Sequence, residues 1–282
     1  MPSTYWNSFR TATWLGWQVE ANWTTPILFA LYTFARPLAL TGILVMLYAT
    51  VTHDNFGSPM FAYMYVGNAF YTYVGAIMTG MGYAIVDDRE RYRTLRSVYV
   101  APVDVRWYMA GRGVARFLTD SAAVAVTLVV GIVFLHVPVH ARAIDWPLFL
   151  AAMTVGIVAL AMLGLMVSGI ALVLPDSAWS FGEGVAGALY LVSGAVFPIY
   201  LLPRVLQPLG FAVPISYWLE LLRRSLLTAV PGLPAFTMLS NVKLLAIFAV
   251  MTVVLSALAL GIFQWCDRIA RERGMIDRIT NH

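Results

Sequence analysis

Six long apolar runs constrain the fold of this chain more than any other feature. They cover residues 30–51, 60–86, 113–137, 147–174, 181–202 and 241–265. A helix needs about 20 predominantly apolar residues to cross a bilayer, and in lipid each segment must satisfy its own backbone hydrogen bonds. The runs therefore predict an all-α polytopic membrane protein with six transmembrane helices, forming a single domain over residues 1–282.

The composition supports this class and argues against enzyme chemistry. Of the 282 residues, 60% are hydrophobic and 11% are charged, whereas soluble domains have about 25% charged residues. The single cysteine, Cys266, excludes an intramolecular disulfide and a multi-cysteine metal site. A P-loop needs a lysine directly after glycine, but the only lysine, Lys243, follows Val242. We therefore expect this chain to bind no cofactor and to carry no catalytic centre.

The placement of the arginines predicts the orientation. With six spans both termini lie on one side, and that side holds Arg10, the loop 87–112 and the tail 266–282, with eleven arginines against five basic residues opposite. The positive-inside rule places this side in the cytoplasm. The preference for arginine over lysine is typical of a GC-rich bacterial genome, which predicts the bacterial inner membrane. We interpret the net charge of +4 as topology and expect no nucleic-acid partner.

Residues 1–29 precede the first span and have an amphipathic pattern. Trp6, Phe9, Trp14 and Trp17 fall on one side of a helix at 100° per residue. This pattern predicts a helix lying in the membrane interface. An unstructured tail with tryptophans placed by chance is the alternative.

The segment 198–240 is rich in proline and also strongly apolar, so it suits neither a solvated loop nor a regular span. Irregular backbone at membrane depth is tolerated where protein surrounds it. We interpret the segment as re-entrant external helices, and an external loop packed on the bundle is equally consistent with the composition. Glu220 and Arg223 are three residues apart and can pair along one helix.

The segment 87–102 is the one charged stretch between spans. As a helix it would carry one aromatic–aliphatic stripe beside one arginine stripe. These stripes consist of Tyr92, Leu95 and Tyr99, and of Arg89, Arg93 and Arg96. Such a helix can dock into a groove on a partner, and a basic loop that serves only topology and lipid headgroups is the alternative.

Two motifs in this chain resemble those of the ABC-2 family of transporter permeases. The segment 87–102 is similar to the family's coupling-helix region, with an acidic–basic run, then Thr94-Leu95, then Pro102. Arg93 stands where family members typically carry glycine. The second motif is similar to the signature between the last two spans, at residues 193–199, 202–203, 214–217 and 220–223.

The resemblance implies the membrane subunit of an ATP-driven exporter. Its partners would be a P-loop ATP-binding subunit, which holds ATP and Mg, membrane lipid, and a second permease, either a copy or a paralogue. The cargo would be hydrophobic or amphipathic: a drug, a lipid or a lipid-linked glycan. The residues predicted to couple to the ATPase are Arg89, Glu90, Tyr92, Thr94, Leu95, Arg96 and Tyr99.

Further candidates are aromatic and charged residues in or near the spans. We predict that Phe70, Tyr73 and Phe197 line a cargo path. We also predict that Asp120 and Glu183 are functional charges, because ionisable residues in membrane spans are costly and commonly have a function. One alternative is a channel or secondary transporter without an ATPase, which predicts midplane charges or an inverted repeat. Another is an intramembrane lipid-modifying enzyme, which predicts converging His, Asp or Ser side chains. We find neither pattern in the sequence.

Overall fold

The computed structural model describes residues 2–21, 25–53, 56–91, 95–100, 104–174, 178–227, 236 and 238–275. Ten α-helices lie in this part of the chain. They are α1 (Pro2–Ala21), α2 (Pro26–Thr52), α3 (Pro59–Val86), α4 (Leu95–Val100), α5 (Val105–Phe134), α6 (Trp146–Val173), α7 (Ala178–Val192), α8 (Gln207–Ala212), α9 (Pro214–Leu226) and α10 (Asn241–Glu272). A π-helical turn, Asp87–Arg91, follows α3, and a 3-10 turn, Ile199–Leu201, precedes α8.

Local sequence signals explain where several of these helices begin. Ser58, Asp104 and Asp145 cap α3, α5 and α6, and each side chain accepts a hydrogen bond from a backbone N–H in the first turn. Pro26 and Pro59 occupy the first position of α2 and α3. A proline there loses no hydrogen bond, because the first N–H groups of a helix have no partner within it.

Five helices are long and apolar enough to cross a membrane, which confirms the predicted fold class. They are α2, α3, α5, α6 and α10. The predicted fifth span, 181–202, is wrong in its extent: α7 has 15 residues and ends at Val192. At about 1.5 Å per residue it covers about 22 Å, less than the hydrocarbon core of about 30 Å. The chain turns just after it, where Gly194 has a φ of +73°, a conformation that favours glycine.

Helix α3 lies at the centre of the bundle and contacts α5, α6 and α7. Glycines on those helices allow the close approach. A Cβ on Gly131 of α5 would lie 2.2 Å from the Tyr65 ring, and one on Gly182 of α7 would lie 2.6 Å from the Met78 carbonyl. Small residues at such crossings bring helices into backbone contact in membrane proteins.

Helix α1 packs along the first turns of α5, as part of the bundle. Ala12 and Gly16 face Gly111 and Ala115, and a Cβ on Gly111 would meet Ala12 at 2.8 Å. The predicted helix therefore forms, but its aromatic side is divided. Trp14 and Trp17 are exposed, whereas Phe9 makes an edge-to-face contact with Trp107.

The bundle has two ends of different character. We call the end formed by the C-termini of α3 and α10 and the N-terminus of α5 the arginine-rich end. We call the end formed by the N-termini of α3 and α6 and by residues 193–227 the proline-rich end. Residues 228–235 and 237, part of the predicted re-entrant segment, lie outside the described residues.

At the proline-rich end, α9 is inserted among the long helices. Trp218 is 1% exposed and rests on Gly156, where a Cβ would lie 2.1 Å from the indole nitrogen. Gly156 lies about 15 Å along α6 from its first residue, at about 1.5 Å per residue. Segment 193–227 therefore contributes to the bundle interior.

Candidate functional site

The segment that joins α3 to α5 forms two short helical pieces at the arginine-rich end. Helix α3 runs into the π-helical turn Asp87–Arg91, and α4 follows at Leu95–Val100. Of the predicted helix over 87–102, residues 87–91 and 95–100 are helical, and residues 92–94 and 101–102 lie outside the described residues. The π-helical turn widens the backbone, and such turns recur at functional sites.

Asp88 fastens the π-helical turn to α5. Its side chain is buried and accepts a hydrogen bond of 2.9 Å from the Tyr108 hydroxyl. The Arg112 guanidinium, also buried, lies 3.9 Å from the other carboxylate oxygen. Arg89 is buried beside them and pairs with Glu90 at 3.3 Å. These four charged side chains make the turn part of the bundle rather than a solvated loop.

Helix α4 is fastened to the rest of the chain by its inner face. Leu95 is 1% exposed, and Tyr99 donates a hydrogen bond of 2.6 Å to Asp267 of α10. Arg271, one turn further along α10, pairs with Asp267 at 3.0 Å and stacks over the Tyr99 ring at 4.7 Å. Burial first, and then the hydrogen bond to Asp267 and its negative charge, raise the pKa of the Tyr99 hydroxyl. Tyr99 therefore keeps its proton and remains a donor.

This geometry corrects the direction in which the predicted stripe points. The prediction had Leu95 and Tyr99 facing a partner, but both face this chain, because a buried leucine gains the free energy of leaving water. The outer face of α4 instead presents Ser97 and Val100, with Val100 81% exposed. The predicted coupling residues Tyr92 and Thr94, and the side chain of Arg96, lie outside the described residues.

The predicted cargo-path residues do not share one surface. Phe70 and Tyr73 of α3 are packed inside the chain, where each ring lies 6.3 Å from Trp218 of α9. The Tyr73 ring also stacks on Phe117 at 4.7 Å. Phe197, in contrast, is exposed just after α7. Phe70 and Tyr73 are thus core residues that hold α9 against α3 and α5, and their role in a cargo path stays a prediction.

The two predicted functional charges have different surroundings. Asp120 is buried in α5 and pairs with Arg116 one turn away at 3.4 Å. Because α5 begins at Val105, earlier than the predicted residue 113, this pair lies near the middle of the helix rather than at its end. Glu183 is exposed on α7 beside Gly184, where a Cβ would meet no atom within 4 Å.

Arg223 forms the principal polar contact of the proline-rich end, and sequence reasoning paired it with the wrong partner. It was expected to pair with Glu220, but Glu220 pairs with Arg224 at 2.9 Å. The buried guanidinium of Arg223 donates to the carbonyls of Tyr63, Gly194 and Ala195 at 2.8 to 3.0 Å. It also lies 3.5 Å from the centroid of the Tyr63 ring.

Sequence reasoning also missed the residues that hold the loop segment, namely Tyr108, Arg112, Asp267 and Arg271. Tyr108 and Arg112 are four residues apart, and so are Asp267 and Arg271. Each pair lies at the end of an apolar run, and the spacing places both members on one face of the helix. That spacing was the available signal. The sequence carries no indication that α10 would meet α4, because about 170 residues separate them.

These elements define a polytopic helical membrane protein. The charged segment between α3 and α5 is fastened to the bundle by the inner face of α4 and by the π-helical turn. The sequence profile described as ABC-2 type transporter matches residues 7–227. That stretch covers most of the chain and includes the segment from Asp87 to Val100, α9 and Arg223. The chain therefore belongs to the ABC-2 type transporter family and is the permease component of an ABC transporter. No curated protein matches it closely enough to indicate more.

Proposed function

We propose that this chain is the permease of an exporter that moves a hydrophobic or amphipathic substrate out of the cytoplasm by alternating access. A separate subunit binds ATP and Mg and hydrolyses the ATP, since the only lysine of the sequence is not in a P-loop. The match to the family over residues 7–227 is the observation that carries the proposal. A drug, a lipid or a lipid-linked glycan has the required chemistry.

Helix α4 is the element that we assign to the ATP-binding subunit. It is short, it lies between two long helices, and its outer face is open at Ser97 and Val100. Its inner face is held by Leu95 and Tyr99, so a push on the outer face is delivered to α10 through Tyr99 and to α3 and α5 along the chain. Of the predicted coupling residues, Leu95 and Tyr99 therefore act by holding α4 in place, and the contact itself falls to the outer face.

A second permease, either a copy or a paralogue, is the other proposed protein partner. Helix α2 is apolar but has little of its surface buried within this chain. The face of α7 around Gly184 and Gly187 is open, with no atom within 4 Å of a Cβ built on either. Membrane helices associate through such small residues, so α2 and α7 are the surfaces that we assign to pairing.

The arginine-rich end is assigned to the cytoplasm. It holds the charged clusters around Asp88 and Asp267, and the positive-inside rule favours arginine on that side. Both termini would then be cytoplasmic, in the inner membrane of a bacterium. The ATP-binding subunit and the outer face of α4 would then lie on the same side of the membrane.

The test is a purification of the tagged chain from its native membrane in mild detergent, followed by mass spectrometry of the proteins that accompany it. A P-loop ATPase at about equal stoichiometry is the expected result, and a second permease would appear in the same sample. Repeated recovery of the chain alone would contradict the proposal. In that case the mid-helix pair Arg116–Asp120 would favour a secondary transporter, because charges in spans mark ion or substrate pathways.

A further inference from the structure

The contact between α4 and α10 joins two elements that are far apart in sequence. The Tyr99 hydroxyl donates to Asp267 at 2.6 Å, Arg271 pairs with Asp267 at 3.0 Å, and the guanidinium of Arg271 lies 4.7 Å from the centre of the Tyr99 ring. Three different interactions thus connect three side chains. We call these residues, Tyr99, Asp267 and Arg271, the α4–α10 link.

Helix α10 carries any displacement at the link into the bundle. It packs along α6 over much of its length, and at Gly169 the two backbones meet: a Cβ there would lie 2.9 Å from the Cα of Phe263. A backbone contact of this kind transmits movement because packed interfaces shift as rigid units and do not deform continuously. Phe263 is one turn from Asp267, so the link lies next to this contact.

We propose that the α4–α10 link is a second route by which movement of the ATP-binding subunit reaches the spans. The first route follows the chain, from α4 into α3 and α5. The second passes through Tyr99 to Asp267 and draws α10 and α6 along with α4. The inference rests on the proposed function, in which α4 receives that movement. Tyr99 acts as a positioning residue, because it sets where α10 lies when α4 moves.

Cys266 provides a natural reporter for this route. It is the only cysteine of the chain, it is 3% exposed, and it adjoins Asp267. Because the thiol is buried, it reacts with N-ethylmaleimide only when this part of α10 moves away from its neighbours. Mass spectrometry of the intact chain measures the rate of this reaction. The complex of the chain with its ATP-binding subunit is used, in detergent, with and without Mg-ATP and vanadate.

Two variants remove the link without removing bulk. Tyr99→Phe deletes only the hydroxyl, and Asp267→Asn keeps an acceptor for Tyr99 while removing the charge that Arg271 pairs with. The matched control is Tyr83→Phe, which alters an exposed tyrosine on α3. In the unmodified complex we expect nucleotide to change the alkylation rate of Cys266 by about tenfold, the factor that corresponds to one hydrogen bond to a charged group.

We compare the ratio of the Cys266 alkylation rates with and without nucleotide. Tyr99→Phe should bring this ratio close to one, and Tyr83→Phe should leave it at the value of the unmodified complex. Asp267→Asn should give a ratio between these two values. The second route is overturned if the ratio is the same in all variants. It is also overturned if the ratio is one in the unmodified complex. If the ATP-binding subunit still accompanies the chain in those cases, the proposed function stands. If no such subunit accompanies the unmodified chain, the proposed function fails first.

Discussion

The two ends of the bundle hold their connecting segments by different chemistry. At the proline-rich end, Arg223 is buried and donates to three backbone carbonyls, with the Tyr63 ring beneath it. At the arginine-rich end, α4 is held by the side chains of Leu95 and Tyr99, while Val100 is exposed. The segment at the proline-rich end is thus fixed through its backbone, whereas α4 is fixed through two side chains.

This difference determines which segment can move. Buried carbonyls that lose their donor have no water to replace it, so the Arg223 contacts are costly to break. Near the hydrogen bond between Tyr99 and Asp267, the side chains of Asp267 and Arg271 are partly exposed. Water can therefore replace a lost partner there. We infer that the proline-rich end is a fixed platform, whereas α4 can be displaced at a lower cost in free energy.

Replacing Arg223 tests the fixed platform and should have the largest effect. Arg223→Ala leaves the carbonyls of Tyr63, Gly194 and Ala195 without their donor in the interior. We expect the free energy of unfolding to fall by at least about 3 kcal/mol, since each of the three buried carbonyls that loses its donor costs about 1–3 kcal/mol. Thermal unfolding of the detergent-solubilised chain measures it.

Arg204→Ala is the matched control, since Arg204 is an exposed arginine in the same segment. It should change the stability by less than about 0.5 kcal/mol. Gly67→Ala provides a second test, because its Cβ would lie 1.8 Å from the Arg223 guanidinium and 2.2 Å from the Ala195 carbonyl oxygen, and must separate this pair. If Arg223→Ala unfolds at the same temperature as Arg204→Ala, the platform is not held by this residue.

Placing aspartate on either face of α4 separates folding from partner binding. Leu95→Asp puts a charge on the buried face and should cost about 3 kcal/mol of stability. Val100→Asp puts the same charge on the exposed face and should leave stability within about 0.5 kcal/mol. Unfolding temperature and recovery of the ATP-binding subunit are measured on both variants.

For Val100→Asp we expect recovery of the ATP-binding subunit to fall while the unfolding temperature is unchanged. Ser97→Ala serves as a mild control on the same face. Full recovery with Val100→Asp would place the contact with the ATP-binding subunit elsewhere on the chain. An unchanged unfolding temperature for Leu95→Asp would show that the inner face of α4 is not packed in solution.

The sequence predicted the class of fold because the apolar runs depend only on local composition. It failed where a long-range contact decides the outcome. The run 181–202 is apolar apart from Glu183 and Ser193, yet α7 stops at Val192, since the carbonyls that follow are bound by Arg223, which comes later in the chain. Periodicity likewise identified the stripe of Leu95 and Tyr99, but not which neighbour it faces.

The candidate site was predictable to the same limit. The segment 87–102 was recognised from its charges and from its likeness to a family motif, and the family is confirmed. Its anchors, Tyr108 and Asp267, come from helices whose own patterns are ordinary ends of apolar runs. Such pairings depend on which helix ends meet, and one sequence does not specify this.

Among the variants that break an anchor, the smallest loss of stability is expected at the contact between the π-helical turn and α5, and it sharpens the comparison of the two ends. Tyr108→Phe removes one hydrogen bond of 2.9 Å to Asp88 and leaves the ring in place. Arg112 remains within 3.9 Å of the same carboxylate and keeps part of its stabilisation. We therefore expect the free energy of unfolding to fall by about 1 kcal/mol, well below the effect of Arg223→Ala. Thermal unfolding of the two variants side by side measures the difference. An equal loss would mean that both ends are fixed alike, and the movable character of α4 would then rest on Tyr99 and Asp267 alone.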